Sequence, residues 1–330
     1  MIAERLLLFE LDTAIFAMIN INWHDCFSLA EFVQLPNLAG HYSARKRGRQ
    51  GQGTNIYRFL IVPLFLECYT ACMKRIVLIC FFLVSICGCS PTPDCRSTDG
   101  TYACPRVLFI GNSYTYVNDL PGMLAALAKA GGHPIQTGMS ASGGWTLAEH
   151  LASAQTLAAL QSSKWDYVIL QEQSEIPSVE PARSQEMYPA ARVLVTKIRQ
   201  SGAQPIFFLT WAHRNGWPEN NLPDYESMQL QINQGYMTIA NQLFTIVAPV
   251  GYAWMTVTLQ DPGLDLWQAD GSHPTELGTY LTACVFYAVL FRQSPENNPY
   301  QAHLTTAAAH YLQSAAANTV LGNPAQWNLP

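Results

Sequence analysis

From residue 106 onward, short uninterrupted apolar runs alternate with longer stretches of helical period, and this alternation constrains the fold more than any other feature. Runs such as Val107-Leu108-Phe109-Ile110, Tyr167-Val168-Ile169-Leu170 and Ile206-Phe207-Phe208-Leu209 have no polar face. Strands of that kind are buried on both sides, which is the environment of a parallel sheet covered by helices. Strands are expected at 106–110, 135–139, 166–170, 205–210 and 245–249. Helices are expected at 119–131, 146–162, 182–201, 226–243, 275–292 and 301–318. Together they describe a three-layer α/β domain over 106–320.

The region before that domain reads differently. Residues 1–72 mix apolar runs with a basic patch, Arg45-Lys46-Arg47-Gly48-Arg49, and carry no sustained period. At Met73 a positive start, Lys74-Arg75, precedes the short apolar run Ile76 to Ile86 and the small residues Gly88-Cys89-Ser90. That is the plan of a secretory signal sequence, and the run is too short to span a bilayer comfortably. We therefore expect translation to start at Met73, with 1–72 an extension of the gene model and 73–88 a leader; a genuine N-terminal region with a membrane hairpin is the other reading, since Phe59 to Phe65 is also apolar. A small residue before Cys89 resembles a bacterial lipobox. The resemblance implies lipidation of Cys89 and anchoring in the cell envelope, with 89–105 as a proline-bearing tether. Cys95 and Cys104 are placed to close a small disulfide loop in an oxidising compartment; two unpaired thiols are the other reading. The chain has nine cysteines but no CxxC pair, so nothing points to a structural zinc site. A net charge of -5 with only 12% charged residues argues against nucleic acid as a partner.

Chemistry enters at the end of the first strand. Val107 to Ile110 stops at Gly111-Asn112-Ser113, and a helical pattern begins near Leu120. Strand, glycine turn, serine and helix is one way to present a nucleophile at the carboxyl edge of a parallel sheet. Such a serine needs a base, a group to orient the base, and donors for an oxyanion. His273 is the best-placed base, in Asp270-Gly271-Ser272-His273-Pro274 just before a helical pattern. An Asp three residues ahead in a turn can fold onto the imidazole and fix its tautomer.

Gly111-Asn112-Ser113-Tyr114-Thr115 near the start of the domain, with Asp270-x-x-His273 near its end, resembles the SGNH (GDSL-like) hydrolase family over about 106–293. The usual first block is Gly-Asp-Ser, and Asn112 marks a variant associated with a lipoprotein subgroup. The resemblance implies a flavodoxin-like sheet of five parallel strands, esterase chemistry and no metal or organic cofactor. It implies Ser113 as nucleophile, His273 as base and Asp270 as its partner. The backbone N–H groups of Ser113 and Gly144 would form the oxyanion hole, with Gly143 as the alternative to Gly144. The family's third block carries an Asn that this chain lacks after strand 166–170. Gln173 is the first choice to replace it and Gln171 the second, because an amide offers the same donor on a longer arm. An α/β-hydrolase would carry G-x-S-x-G, whereas position 115 is Thr.

The expected substrate is a small-molecule or glycan ester carrying a small acyl group such as acetyl. A lipase or thioesterase for longer chains, and a non-catalytic carbohydrate-binding lipoprotein, are the alternatives. Asn112, Trp145, Trp211 and His213 are candidate substrate contacts on the same predicted edge. Glu172 is expected to point away from the oxyanion, which it would oppose. His133 and His150 read as surface or packing residues, and Cys284 as core. The polar stretch 215–235 is expected to be a long loop that shapes access.

Overall fold

The computed structural model describes residue 95 and residues 104–330. The proposed extension 1–72, the leader 73–88, Cys89 and most of the tether lie outside the described residues. Cys95 and Cys104 are disulfide-bonded. Among the described residues, no helix is long and apolar enough to cross a membrane.

Five strands form one parallel sheet in the order β2-β1-β3-β4-β5, with β1 Arg106–Gly111, β2 Gln136–Ala141, β3 Tyr167–Leu170, β4 Gln204–Phe208 and β5 Ile246–Ala248. Side chains alternate across it. Val107, Phe109, Ile169, Ile206 and Phe208 belong to the core on one face, and Leu108, Ile110, Val168, Leu170 and Phe207 to the core on the other. This explains why these runs carry no polar position: each strand has two dry faces, and each large side chain buried contributes about 1.5–3 kcal/mol. The edge strand β2 is the exception. It reads Gln-Thr-Gly-Met-Ser-Ala and leaves Met139 46% exposed.

The helices are α1 Ser113–Tyr116, α2 Leu120–Ala130, α3 Leu147–Ala152, α4 Ala154–Gln161, α5 Tyr188–Gln200, α6 Tyr225–Leu243, α7 Val250–Gln260, α8 Glu276–Phe291 and α9 Thr306–Leu321. A π-helical turn, Arg183–Met187, leads into α5. Three expectations change. The helix at 146–162 is two helices, because Ser153 ends α3 and caps α4, its Oγ accepting from the Thr156 N–H. The excursion at 215–235 ends at Asp224, whose carboxylate caps α6. Helix α7 was not expected at all. The last residues also pack onto the core through Trp327 and Leu329, so the packed unit extends beyond 320.

Chain direction matters most at β1. From β1 the chain first moves to β2 on one side, then crosses to β3 on the other. The crevice at the carboxyl end of β1 is therefore the topological switch point, where ligands bind in open α/β sheets. Ser113 lies two residues past the end of β1.

Candidate active site

The turn that carries Ser113 is built from amides. Asn112 caps α1, its Oδ1 accepting from the Tyr114 N–H at 3.1 Å. Gln171, at the end of β3, folds over the turn. Its Oε1 accepts from the Asn112 N–H and the Thr115 hydroxyl, and its Nε2 donates to Asn112 Oδ1 at 2.8 Å and to the Glu172 carbonyl at 2.6 Å. A Cβ on Gly111 would lie 2.5 Å from both Gln171 Oε1 and Thr115 Oγ1, so only glycine fits under this lid.

Ser113, His273 and Asp270 come together in series. Ser113 Oγ lies 2.9 Å from His273 Nε2, and His273 Nδ1 lies 2.6 Å from Asp270 Oδ2. The second oxygen of Asp270 accepts from the N–H groups of Ser272 and His273, each at 2.9 Å. Burial alone would raise the Asp270 pKa. The Ser272 N–H, the His273 ring and the His273 N–H outweigh it and hold the carboxyl at about 2. An ionised carboxylate accepts only, so His273 Nδ1 carries a proton and Nε2 is left to accept the one on Ser113.

The Gly144 loop stands across the crevice. Ser142 to Trp145 is a turn closed by the Trp145 N–H on the Ser142 carbonyl at 3.2 Å, and Gly144 has φ +74°. Positive φ at the third position of a turn is what glycine supplies. A Cβ there would meet nothing within 4 Å, so the position faces open space. The Ser113 and Gly144 N–H groups donate to no described residue. Both meet the first requirement of an oxyanion donor, which is to be free.

That loop is tied down on both sides. Ser142 N–H donates to the Gly111 carbonyl, and Asn112 Nδ2 to the Trp145 carbonyl at 3.1 Å. His150 is fully buried beneath it, with Nε2 2.8 Å from the Gly111 carbonyl and Nδ1 2.9 Å from Thr156 Oγ1. A carbonyl only accepts, so Nε2 carries the proton, and burial lowers the pKa and keeps the ring neutral. His150 is thus a packing residue, and it works beneath the site. Glu172 does point inward. Its Oε1 accepts from the Leu147 and Gln173 N–H groups, its Oε2 has no partner, and burial pushes its pKa up to about 7.

Four expected roles change. Asn112 is buried and every polar atom of its side chain is spent on the protein, so it braces the turn and meets no substrate. Its Nδ2 also explains the departure from Asp: a carboxylate there would set an oxygen against the Trp145 carbonyl. Trp211 is fully buried between Tyr114 and Trp254 and donates to the Ser272 carbonyl, so it supports the His273 turn. The Gln171 amide faces Asn112 and the Glu172 carbonyl, which removes it as an oxyanion donor. Gln173 turns its oxygen to the N–H groups of Glu175 and Ile176, and its Nε2 lies 3.4 Å from Glu175 Oε2. Both glutamines thus direct their amides at the protein. His213 is half-buried, with Nε2 3.3 Å from Ser174 Oγ. Burial lowers its pKa against the pull of Glu175 and Asp270. Trp145 is half-buried against His150. Among the described residues there is no group of three or more His, Cys, Asp or Glu side chains able to hold a metal ion.

No protein-family model and no curated protein matches the chain. Solved structures do. One, provisionally described as an SGNH hydrolase from Slackia heliotrinireducens, is 30% identical, with the match covering 97% of that chain and 56% of this one at a TM-score of 0.48. On that sequence identity, the chain belongs to the SGNH hydrolases. A DUF4886 family protein from Bacteroides uniformis shares the fold at a TM-score of 0.59 and 22% identity, covering 95% of that chain and 66% of this one. In SGNH hydrolase terms, Tyr114, Ser272 and His150 are the members of this site that motif reading passed over. Two of them sit directly beside motif residues, which was the signal available.

Proposed function

We propose that this SGNH hydrolase is a serine esterase that works through an acyl-enzyme on Ser113. The observation that carries the reading is the series Ser113–His273–Asp270, with 2.9 Å and 2.6 Å contacts, beside two free backbone N–H groups. As Ser113 Oγ bonds to the ester carbonyl carbon, its proton passes to His273 Nε2. The oxygen that gains charge accepts from the Ser113 and Gly144 N–H groups. Collapse breaks the ester C–O bond, and the alcohol leaves with the proton from His273. A water then gives its proton to His273 and attacks the acyl carbon. The acid departs and Ser113 recovers its proton. Asp270 stays ionised throughout and holds the imidazole.

The substrate we propose is a small-molecule or glycan ester with a small acyl group such as acetyl. A cleft of about 550 Å³ opens beside Gly144, lined in part by Gln173, Glu175, Glu186 and Trp217. An aromatic face among amides and carboxylates suits a polyhydroxylated alcohol better than a long acyl chain. A second reading, a carbohydrate-binding protein without catalysis, is favoured by the lack of a side-chain oxyanion donor at Gln171 and Gln173. As a further proposal from sequence alone, Cys89 carries the lipid that holds the protein in the envelope. Hydrolysis of p-nitrophenyl acetate by the full chain, compared with Ser113→Ala, tests the esterase. Wild-type turnover that the variant abolishes is expected, and equal rates in both would end the reading.

A further inference from the structure

Ser113 and His273 are 160 residues apart on different elements, and a contact of 2.9 Å between them has to be maintained. The neighbouring residues make a second contact in parallel. Tyr114 Oη lies 2.7 Å from Ser272 Oγ. Tyr114 is 3% exposed, and its ring stacks on Trp211 at 4.4 Å with planes 10° apart. Trp211 stacks in turn on Trp254 at 4.0 Å, and its Nε1 donates to the Ser272 carbonyl at 2.9 Å. The Ser272 N–H donates to Asp270. Ser272 is therefore gripped at its hydroxyl, its carbonyl and its N–H, and the hydroxyl grip comes from the residue after the candidate nucleophile.

We propose that Tyr114 is a positioning residue, whose hydroxyl sets the distance between Ser113 and His273 by holding Ser272. The inference rests on the reading that Ser113 and His273 carry the chemistry. A buried stacked ring has little freedom, and its hydroxyl is a fixed point from which the turn 270–273 can be hung. Burial keeps that hydroxyl protonated far above neutral pH, so the contact persists across the neutral range.

Tyr114→Phe keeps the ring and its stack and removes one oxygen, and Ser272→Ala removes the other end of the same bond. The full chain and both variants are treated with a fluorophosphonate, and Ser113 labelling is timed, which needs no substrate. The kcat and KM for p-nitrophenyl acetate are measured alongside. Each variant is expected to label about tenfold slower, with kcat reduced to match and KM unchanged. The double variant should be no worse than Tyr114→Phe, since Ser272→Ala removes a contact which that variant has already lost. Melting curves separate this from loss of fold, and Ser272→Ala, with its side chain partly exposed, keeps the test open if Tyr114→Phe is unstable. Wild-type labelling rates in the variants, or losses that multiply in the double variant, would overturn the proposal. A wild-type chain that never labels would count against Ser113 as nucleophile. The positioning role would then stand or fall on the His273 ring resonances, which must shift in both variants.

Discussion

Glu172 gives the most quantitative prediction. Its carboxyl is fully buried, one oxygen accepts two backbone N–H groups and the other has no partner. Burial raises its pKa from the ordinary 4.5 to about 7, against the pull of the Gln173 and Leu147 N–H groups, with Glu186 and Glu149 adding to the rise. The folded state thus holds this proton more tightly than the unfolded chain does. Stability from the group is greatest below the unfolded value and is lost as pH rises through about 7. A tenfold change in proton affinity is worth about 1.4 kcal/mol, so the loss between pH 4.5 and pH 8 is about 3 kcal/mol. Glu172→Gln keeps an oxygen for the two N–H groups but cannot ionise. Urea unfolding of the wild-type chain and the variant, followed by tryptophan fluorescence across that range, isolates the effect as a difference. The variant should gain about 3 kcal/mol relative to wild type as pH rises. Parallel curves would refute the buried, ionising carboxyl. A variant that loses ground with rising pH would show the sign to be wrong.

Two further outcomes follow from named contacts. Asp270→Asn should lower kcat by at least ~10²-fold at neutral pH without changing the melting temperature by more than a few degrees, because it frees the His273 tautomer while the turn remains. Steady-state kinetics and a thermal melt check both halves, and retained activity would remove Asp270 as the orienting group. Asn112→Asp restores the commoner family residue yet should destabilise this protein by about 1–3 kcal/mol, since Trp145 loses its donor and faces a carboxylate. Denaturant unfolding measures it, and an unchanged midpoint would mean that the Asn112–Trp145 bond does not hold the Gly144 loop.

The sheet was legible because β1, β3 and β4 are dry on both faces, which leaves short apolar runs that alternate with stretches of helical period. The three chemical residues were legible for a local reason: Ser113 ends a strand, and Asp270 and His273 are close enough in sequence to bond within one turn. Helix α7 was not legible. Val250–Gln260 buries Val250, Ala253, Trp254 and Val257 at helical spacing, but Tyr252, Met255 and Leu259 are apolar as well, so the stripe does not stand out from its surroundings. The side chains at Asn112, Trp211, Gln171 and Gln173 were misjudged for another reason. Sequence places a residue on the catalytic edge of the sheet but does not say whether it faces the crevice or the protein. For these four the protein had unpaired groups to offer: the Trp145 carbonyl, the Ser272 carbonyl, the N–H groups of Asn112 and the N–H groups of Glu175 and Ile176. Each is paired with one of them.

The central claim is that Ser113 is a nucleophile activated by His273. Peptide mass spectrometry of the full chain after reaction with diisopropyl fluorophosphate addresses it without assuming a substrate. A single adduct on Ser113 that disappears in His273→Ala is predicted. An unmodified chain, an adduct on another serine, or equal labelling of Ser113 without His273 would contradict it.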